Sequence, residues 1–179
     1  TLQQSSAASD VYKRQVIGTG QNIIYPKIGQ HVDHEAELAL VISKVSKNIS
    51  RENWTEHVLG LTAANDLSER VLQGKTGHFT RAKGFDTFCP LGPFIQTEFT
   101  NNPELNIKAF VNGELKQDGN SRDMIYSIGE ILEFVTSIMT LLPGDVVMTG
   151  TPEGVSQVKP GDEIKIEIET LGTLINSVE

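Results

Sequence analysis

The run His34-Glu35-Ala36-Glu37-Leu38-Ala39-Leu40-Val41-Ile42 constrains this chain more than any other segment. It alternates as a strand does, so side chains two apart share a face. Glu35 and Glu37 are therefore expected side by side, about 7 Å apart along the strand. The strand then turns wholly apolar from Leu38 to Ile42, as a strand entering a core does. Two neighbouring carboxylates at the mouth of a core repel, and unpaired burial is costly. A hard divalent cation resolves that conflict, because Mg²⁺ and Mn²⁺ prefer carboxylate oxygens. The plainer alternative is a strand end carrying two solvated glutamates.

The bulk properties narrow the partners. The chain has 179 residues, enough for one domain with a sizeable core. Fifteen Lys and Arg against 23 Asp and Glu give a net charge of −8, which argues against nucleic acid or an anionic membrane as the main partner. The single cysteine, Cys89, excludes an intramolecular disulfide and suits a reducing, cytoplasmic setting. Neither a membrane-spanning stretch nor the apolar core of a signal peptide is evident. Residues 1–15 are polar and aperiodic and resemble translated sequencing adapter. They are expected to be a non-native or disordered tail, with residues 16–179 forming the domain and a native N-terminal lid segment missing.

The remaining segments read as β-rich with a few helices. Ser50 and Glu52 suggest a helix that runs to Leu59 and stops at Gly60. Leu61 to Asn65 is apolar and leads into Asp66-Leu67-Ser68-Glu69-Arg70-Val71-Leu72-Gln73. As a helix, that segment would carry Asp66, Arg70 and Gln73 as one stripe of acid, guanidinium and amide. Asp66 with Glu69 equally matches a capping box. Gly74 to Arg81 reads as a loop. So does Lys83 to Pro93, too rich in Gly and Pro for a helix and too apolar for a solvated loop. Lys83 could bring positive charge to an anionic ligand. Asn112-Gly113 predicts a hairpin between Asn106–Val111 and Glu114–Gln117. Ser127 and Glu130 form a capping box opening an apolar-striped helix that reaches Leu142 and ends at Pro143-Gly144. Strands are expected at Asp145–Thr149 and Glu163–Glu169.

Four ordered motifs together resemble the fumarylacetoacetate hydrolase family. They are Asp33-His34-Glu35-Ala36-Glu37-Leu38-Ala39, Ala64-Asn65-Asp66 with Arg70 and Gln73, Ala82-Lys83-Gly84-Phe85-Asp86-Thr87-Phe88-Cys89-Pro90-Leu91-Gly92-Pro93, and Pro143-Gly144-Asp145 with Thr149-Gly150-Thr151-Pro152. The resemblance runs from Val16 to Glu179 and is nearest to the bacterial 2-hydroxyhepta-2,4-diene-1,7-dioate isomerases, acylpyruvate hydrolases and oxaloacetate decarboxylases. It implies a mixed β/α fold, a rolled β-structure with packed helices, forming a homodimer. It implies that Glu35, Glu37 and Asp66 bind Mg²⁺ or Mn²⁺, which favours ligand over helix cap for Asp66. Arg70, Gln73, Lys83 and Thr151 correspond to positions that hold the carboxylate and keto oxygens of a small 2-oxo acid. Arg70 and Lys83 would be catalytic, adding positive charge where the metal-stabilised enolate develops. Hydrolysis, decarboxylation and isomerisation share that enolate.

Relatives of this kind often carry a catalytic His and Glu on an upstream lid, and that segment is not recognisable here. A catalytically impaired, dimeric metal- and ligand-binding scaffold is therefore the alternative to an enzyme. His78 is a weak substitute for the missing base. His31 falls on the face of Glu35 and Glu37 and His34 on the other, so a zinc site using His31 ranks below the all-oxygen site. Cys89 has no identifiable base and makes a poor nucleophile.

Overall fold

The computed structural model describes residues 14–77 and 79–179. Its strands are β1 (Val16–Ile17), β2 (Val32–Asp33), β3 (Ala36–Ile42), β4 (Val58–Asn65), β5 (Ser68–Glu69), β6 (Cys89–Gln96), β7 (Asn106–Val111), β8 (Glu114–Asn120), β9 (Val146–Met148), β10 (Gln157–Val158), β11 (Glu163–Ile168) and β12 (Gly172–Ser177). The α-helices are α1 (Arg70–Thr76), α2 (Phe79–Lys83) and α3 (Ile128–Ile138). The strands form three sheets, ordered β1-β6-β4-β3-β9, β10-β2-β5 and β12-β11-β7-β8. β12 packs against β6, and β7 against β3, so the four-stranded sheet curls over the five-stranded one. The mixed, β-rich architecture expected from the pattern is the one observed.

β3 runs antiparallel between β4 and β9, and all seven of its residues are buried. This explains the unbroken apolar run: a strand flanked on both sides and covered on both faces has no solvent face to fill with polar residues. The core joins Leu38, Leu40 and Ile42 to Leu61, Phe88, Leu132, Ile166 and Leu174. The hairpin forms as the Asn112-Gly113 signal predicts, with both turn residues at positive φ (51° and 80°), the type I′ requirement. The Ser127 capping box is present in full, with Ser127 Oγ accepting from the Glu130 N–H and the Glu130 carboxylate accepting from the Ser127 N–H.

Several local expectations are corrected. The helix after Ser50 is a 3₁₀ segment, Arg51–His57, and Ser50 makes no side-chain cap bond. Leu59 and Gly60 belong instead to β4. Gly60 stops nothing; it admits the backbone of β6, since a Cβ there would lie 2.4 Å from the Gln96 carbonyl oxygen. The Asp66–Gln73 helix begins only at Arg70, because Ser68 and Glu69 pair with β2. Asp66 and Glu69 form no capping box: Glu69 is itself the N-cap and accepts from the Leu72 N–H at 2.5 Å.

Residues 74–81 are not a loop, for α1 continues to Thr76 and α2 opens at Phe79. The Lys83–Pro93 loop is likewise divided. Lys83 ends α2, and Cys89–Gln96 is a strand whose Pro90 lies at its start beside β1 and whose Pro93 falls where the β4–β6 register shifts. The last helix stops at Ile138, and Leu141 returns to bridge Ser46, leaving Ile138, Met139 and Leu142 exposed.

Two residues of the expected tail take part in the fold. The carbonyls of Arg14 and Gln15 accept from the N–H groups of Thr87 and Cys89 at 2.8 and 2.9 Å, extending the β1–β6 pairing. Residues 1–13 and His78 lie outside the described residues. Among the described residues, no helix is long and apolar enough to cross a membrane.

Candidate active site

Two paired strands deliver the acidic side chains to one place. Glu35 and Glu37 flank the first residue of β3, and Asp66 follows the last residue of β4, which pairs with β3. The Asp66 N–H donates to the Glu35 carbonyl at 2.9 Å, and Asn65 Oδ1 accepts from the Glu35 N–H at 3.0 Å. These two bonds fix the strand ends against each other. One carboxylate oxygen from each of Glu35, Glu37 and Asp66 lies within 4.8 Å of the others. Glu35 and Glu37 are buried, and Asp66 is partly so.

Two cations enter from the helices. Arg70, the first residue of α1, donates from Nη2 to Glu35 Oε1 at 2.5 Å, from Nε to Asp33 Oδ2 at 2.8 Å and from Nη1 to Gln73 Oε1 at 3.0 Å. Lys83, the last residue of α2, places Nζ 2.9 Å from Glu35 Oε2 and also bonds Asp66. Asp33, Glu35, Glu37 and Asp66 thus set four carboxylates against Arg70 and Lys83, leaving two negative charges uncompensated when all are ionised.

Glu37 bears the consequence. Burial pushes its carboxyl up to about 7; the Gly150 N–H, donating to Oε2 at 2.6 Å, works in the opposite direction, while Asp66 and Glu35 add to the rise. Burial likewise raises Asp66, against the pull of Lys83. Burial works against the Lys83 charge, but its bonds to Asp66 and Glu35 outweigh that and hold the ammonium more firmly protonated than usual. An all-oxygen cluster with surplus negative charge fits a hard divalent cation.

The sequence-predicted residues are brought together unequally. Arg70, Gln73 and Lys83 meet the acidic cluster directly or through one bond. The Thr151 hydroxyl is committed within the fold, donating to the Ala36 carbonyl at 2.9 Å and accepting from Gln117 Nε2 at 2.8 Å. His31 stays outside the acidic triad. Its Nε2 lies 2.9 Å from Asp33 Oδ1 without an aligned hydrogen bond. His34 is fully buried and meets Ser156 Oγ at 2.9 Å, away from the cluster. The Cys89 thiol is pushed up to about 11, mainly by burial, which suits an inert cysteine.

Three site-building residues escaped the sequence reading. Asp33 holds Arg70, and Glu69 ties the α1 start to the N–H groups of Gln30 and His31 at 2.9 and 3.0 Å. Gln117, fully buried, accepts from the Ala36 N–H at 3.0 Å and donates to Thr151 Oγ1 and the Pro152 carbonyl. Asp33 was visible inside the first motif. Gln117 carried no local signal, because its partners lie 34 to 81 residues away.

The chain belongs to the fumarylacetoacetate hydrolase family: the model of the fumarylacetoacetate (FAA) hydrolase C-terminal domain matches residues 11–179. Among solved structures, it is similar to a 2-hydroxyhepta-2,4-diene-1,7-dioate isomerase from Mycobacterium marinum, with TM-score 0.90 and 42% identity over 92% of this chain and 65% of that one. It is also similar to a fumarylpyruvate hydrolase from Pseudomonas aeruginosa in complex with Mn²⁺ and pyruvate, with TM-score 0.86 and 30% identity over 92% of this chain and 75% of that one. A mitochondrial oxaloacetate tautomerase of Bos taurus, FAHD2B, is 42% identical over 91% of this chain and 55% of its own length. The chain spans 66% and 64% of the length of relatives from Methanocaldococcus jannaschii and Archaeoglobus fulgidus.

Proposed function

We propose that this chain carries the divalent-metal centre of an enzyme acting on small 2-oxo or 2-hydroxy-enoic acids and diacids. The reaction would be C–C hydrolysis of an acylpyruvate, isomerisation or decarboxylation. The observation that carries this reading is the convergence of Glu35, Glu37 and Asp66 within 4.8 Å at the mouth of a buried strand. In this reading those three residues hold Mg²⁺ or Mn²⁺. When bound, the ion supplies Lewis-acid stabilisation of negative charge on the substrate's 2-oxo oxygen.

The chain's own residues supply the rest. Asp33 and Gln73 fix the Arg70 guanidinium in one orientation, so its charge is aimed rather than mobile. Lys83 stays charged beside Glu35 and Asp66 and would offset the charge that develops on substrate. Gln73 presents an amide beside Arg70 for a substrate oxygen, and Thr151 pins the turn that hands the Gly150 N–H to Glu37. The named relatives are an isomerase, a hydrolase and a tautomerase, which favours an enzyme over a non-catalytic scaffold.

The test is a substrate panel with the Mn²⁺-loaded chain: an acylpyruvate, enol-oxaloacetate and a 2-hydroxy-dienoic diacid, each followed by ultraviolet absorbance. The expected result is turnover of at least one substrate, lost on chelation and reduced by about 100-fold or more in Glu37→Gln. Turnover indifferent to both chelation and Glu37→Gln would overturn the reading.

A further inference from the structure

The two helices that deliver Arg70 and Lys83 each carry one further residue on the same side. Gly74 follows Arg70 by one turn on α1, and Phe79 precedes Lys83 by one turn on α2, both at i, i+4 spacing. Those sides face the acidic cluster, because Arg70 and Lys83 both donate to Glu35. The two helices also lie in contact with each other.

The fold explains neither residue. Glycine inside a helix is destabilising relative to alanine. Gly74 has no positive φ, and a Cβ built there would meet nothing within 4 Å. No turn and no approaching backbone requires it, in contrast to Gly60. Phe79 is exceptional for its direction. At about 100° per residue it projects between Ala82 and Lys83. Ala82 is fully buried and Lys83 is bound to the cluster, while the exposed Thr80 and Arg81 project elsewhere. A ring on that inward side should be covered, yet Phe79 is 60% exposed. One turn from Arg70 and Lys83, the protein thus leaves a stretch of bare helix and an uncovered aromatic ring.

We infer that Gly74 and Phe79 form a subsite for the part of the substrate beyond its 2-oxo-acid head, and that this subsite takes a flat, apolar group, unsaturated or aromatic. The inference rests on the proposed metal and 2-oxo-acid site and narrows its substrate class. The missing side chain at Gly74 lets a planar group lie against α1, and the Phe79 ring supplies stacking area. Both residues set specificity and take no part in bond breaking.

The experiment is a competition titration on the Mn²⁺-loaded full chain with three probes: oxalate, which has no tail, pyruvate, and benzylidenepyruvate, whose tail is flat and apolar. The expected result is that benzylidenepyruvate binds at least about tenfold tighter than pyruvate. Phe79→Ala should abolish that preference and Phe79→Tyr should retain it. Gly74→Leu should weaken benzylidenepyruvate by about tenfold or more while raising the melting temperature, since leucine is the better helix former. Oxalate affinity should be unchanged in all three variants. If oxalate binds but the preference is absent, or survives both Phe79→Ala and Gly74→Leu, the subsite does not exist and the metal-site reading stands. The inference fails equally if Phe79→Ala weakens oxalate as much as benzylidenepyruvate. Absence of Mn²⁺-dependent oxalate binding would remove the metal-site reading and the inference with it.

Discussion

Arg70 donates to Glu35 at 2.5 Å while the same guanidinium holds Asp33 at 2.8 Å, so one cation bridges two buried carboxylates on either side of His34. Its position at the start of α1 makes this reach available. The planar fork matters, because Nε and Nη2 address the two carboxylates from separate donors held in one fixed geometry.

Removing that cation should be costly without metal. Arg70→Ala leaves Asp33 and Glu35 buried with no guanidinium partner, and about 2 kcal/mol of stability should be lost, discounted from a fully buried pair because Arg70 is partly exposed. Mn²⁺ should restore part of the loss by supplying the missing positive charge. Urea unfolding of the variant with and without Mn²⁺ measures both effects; an unchanged midpoint would show that the pairs contribute nothing.

Glu69 sets a pH dependence. Burial pushes its carboxyl up, but the N–H groups of Leu72, Gln30 and His31 outweigh burial and hold it below the ordinary carboxylate range. A carboxylate depressed on folding contributes stability that is present above its unfolded value and lost as pH falls through the folded one. Glu69→Gln should therefore destabilise the protein by about 1–2 kcal/mol at pH 7. The gap between variant and wild type should close as the pH falls below about 4.5. Denaturation midpoints from pH 7 to 3 test this; a gap that stays constant would contradict it.

How far the site could be read from sequence depends on where its partners lie. Glu35, Glu37 and Lys83 were legible because each sits in a compact motif with its own chemistry. Asp66 was ambiguous by spacing alone, since the Ser68–Glu69 pairing with β2 that removes it from the helix is a tertiary contact. The same holds for β6, where Pro90, Gly92 and Pro93 argue for a loop and only pairing with β4 makes a strand. Gly60 was misread because its role is to let another backbone approach, and sequence shows only the missing side chain.

Gln117 shows the same limit and yields a prediction. Its amide serves Ala36, Thr151 and Pro152, tying β3 to the turn beside Glu37. Gln117→Leu should cost about 2–3 kcal/mol, because the Ala36 N–H and the Pro152 carbonyl lose a buried partner. It should also weaken Mn²⁺ binding, although Gln117 touches none of the three acids. Calorimetric titration of the variant at a temperature where it stays folded separates the effects; wild-type Mn²⁺ affinity would show that the turn does not position Glu37.

Cys89 should be a bystander. With its thiol held up to about 11, it is protonated at neutral pH. Alkylation by iodoacetamide at pH 8 should run about tenfold or more slower than for a free thiol. Cys89→Ser should leave Mn²⁺ and oxalate affinity unchanged. Fast modification at pH 8 would show that the cysteine is activated.

Everything proposed for this site depends on Glu35, Glu37 and Asp66 forming a metal centre that takes the head of a 2-oxo acid. A thermal-shift titration of the chain with Mn²⁺, with and without oxalate, beside Asp66→Asn probes that dependence directly. A ligand that binds the folded state alone raises the melting temperature by mass action. The expected outcome is a rise with Mn²⁺, a further rise with oxalate only when Mn²⁺ is present, and neither in Asp66→Asn. A folded wild-type protein that responds to neither ligand, or an Asp66→Asn variant that responds as fully as wild type, would contradict the metal centre.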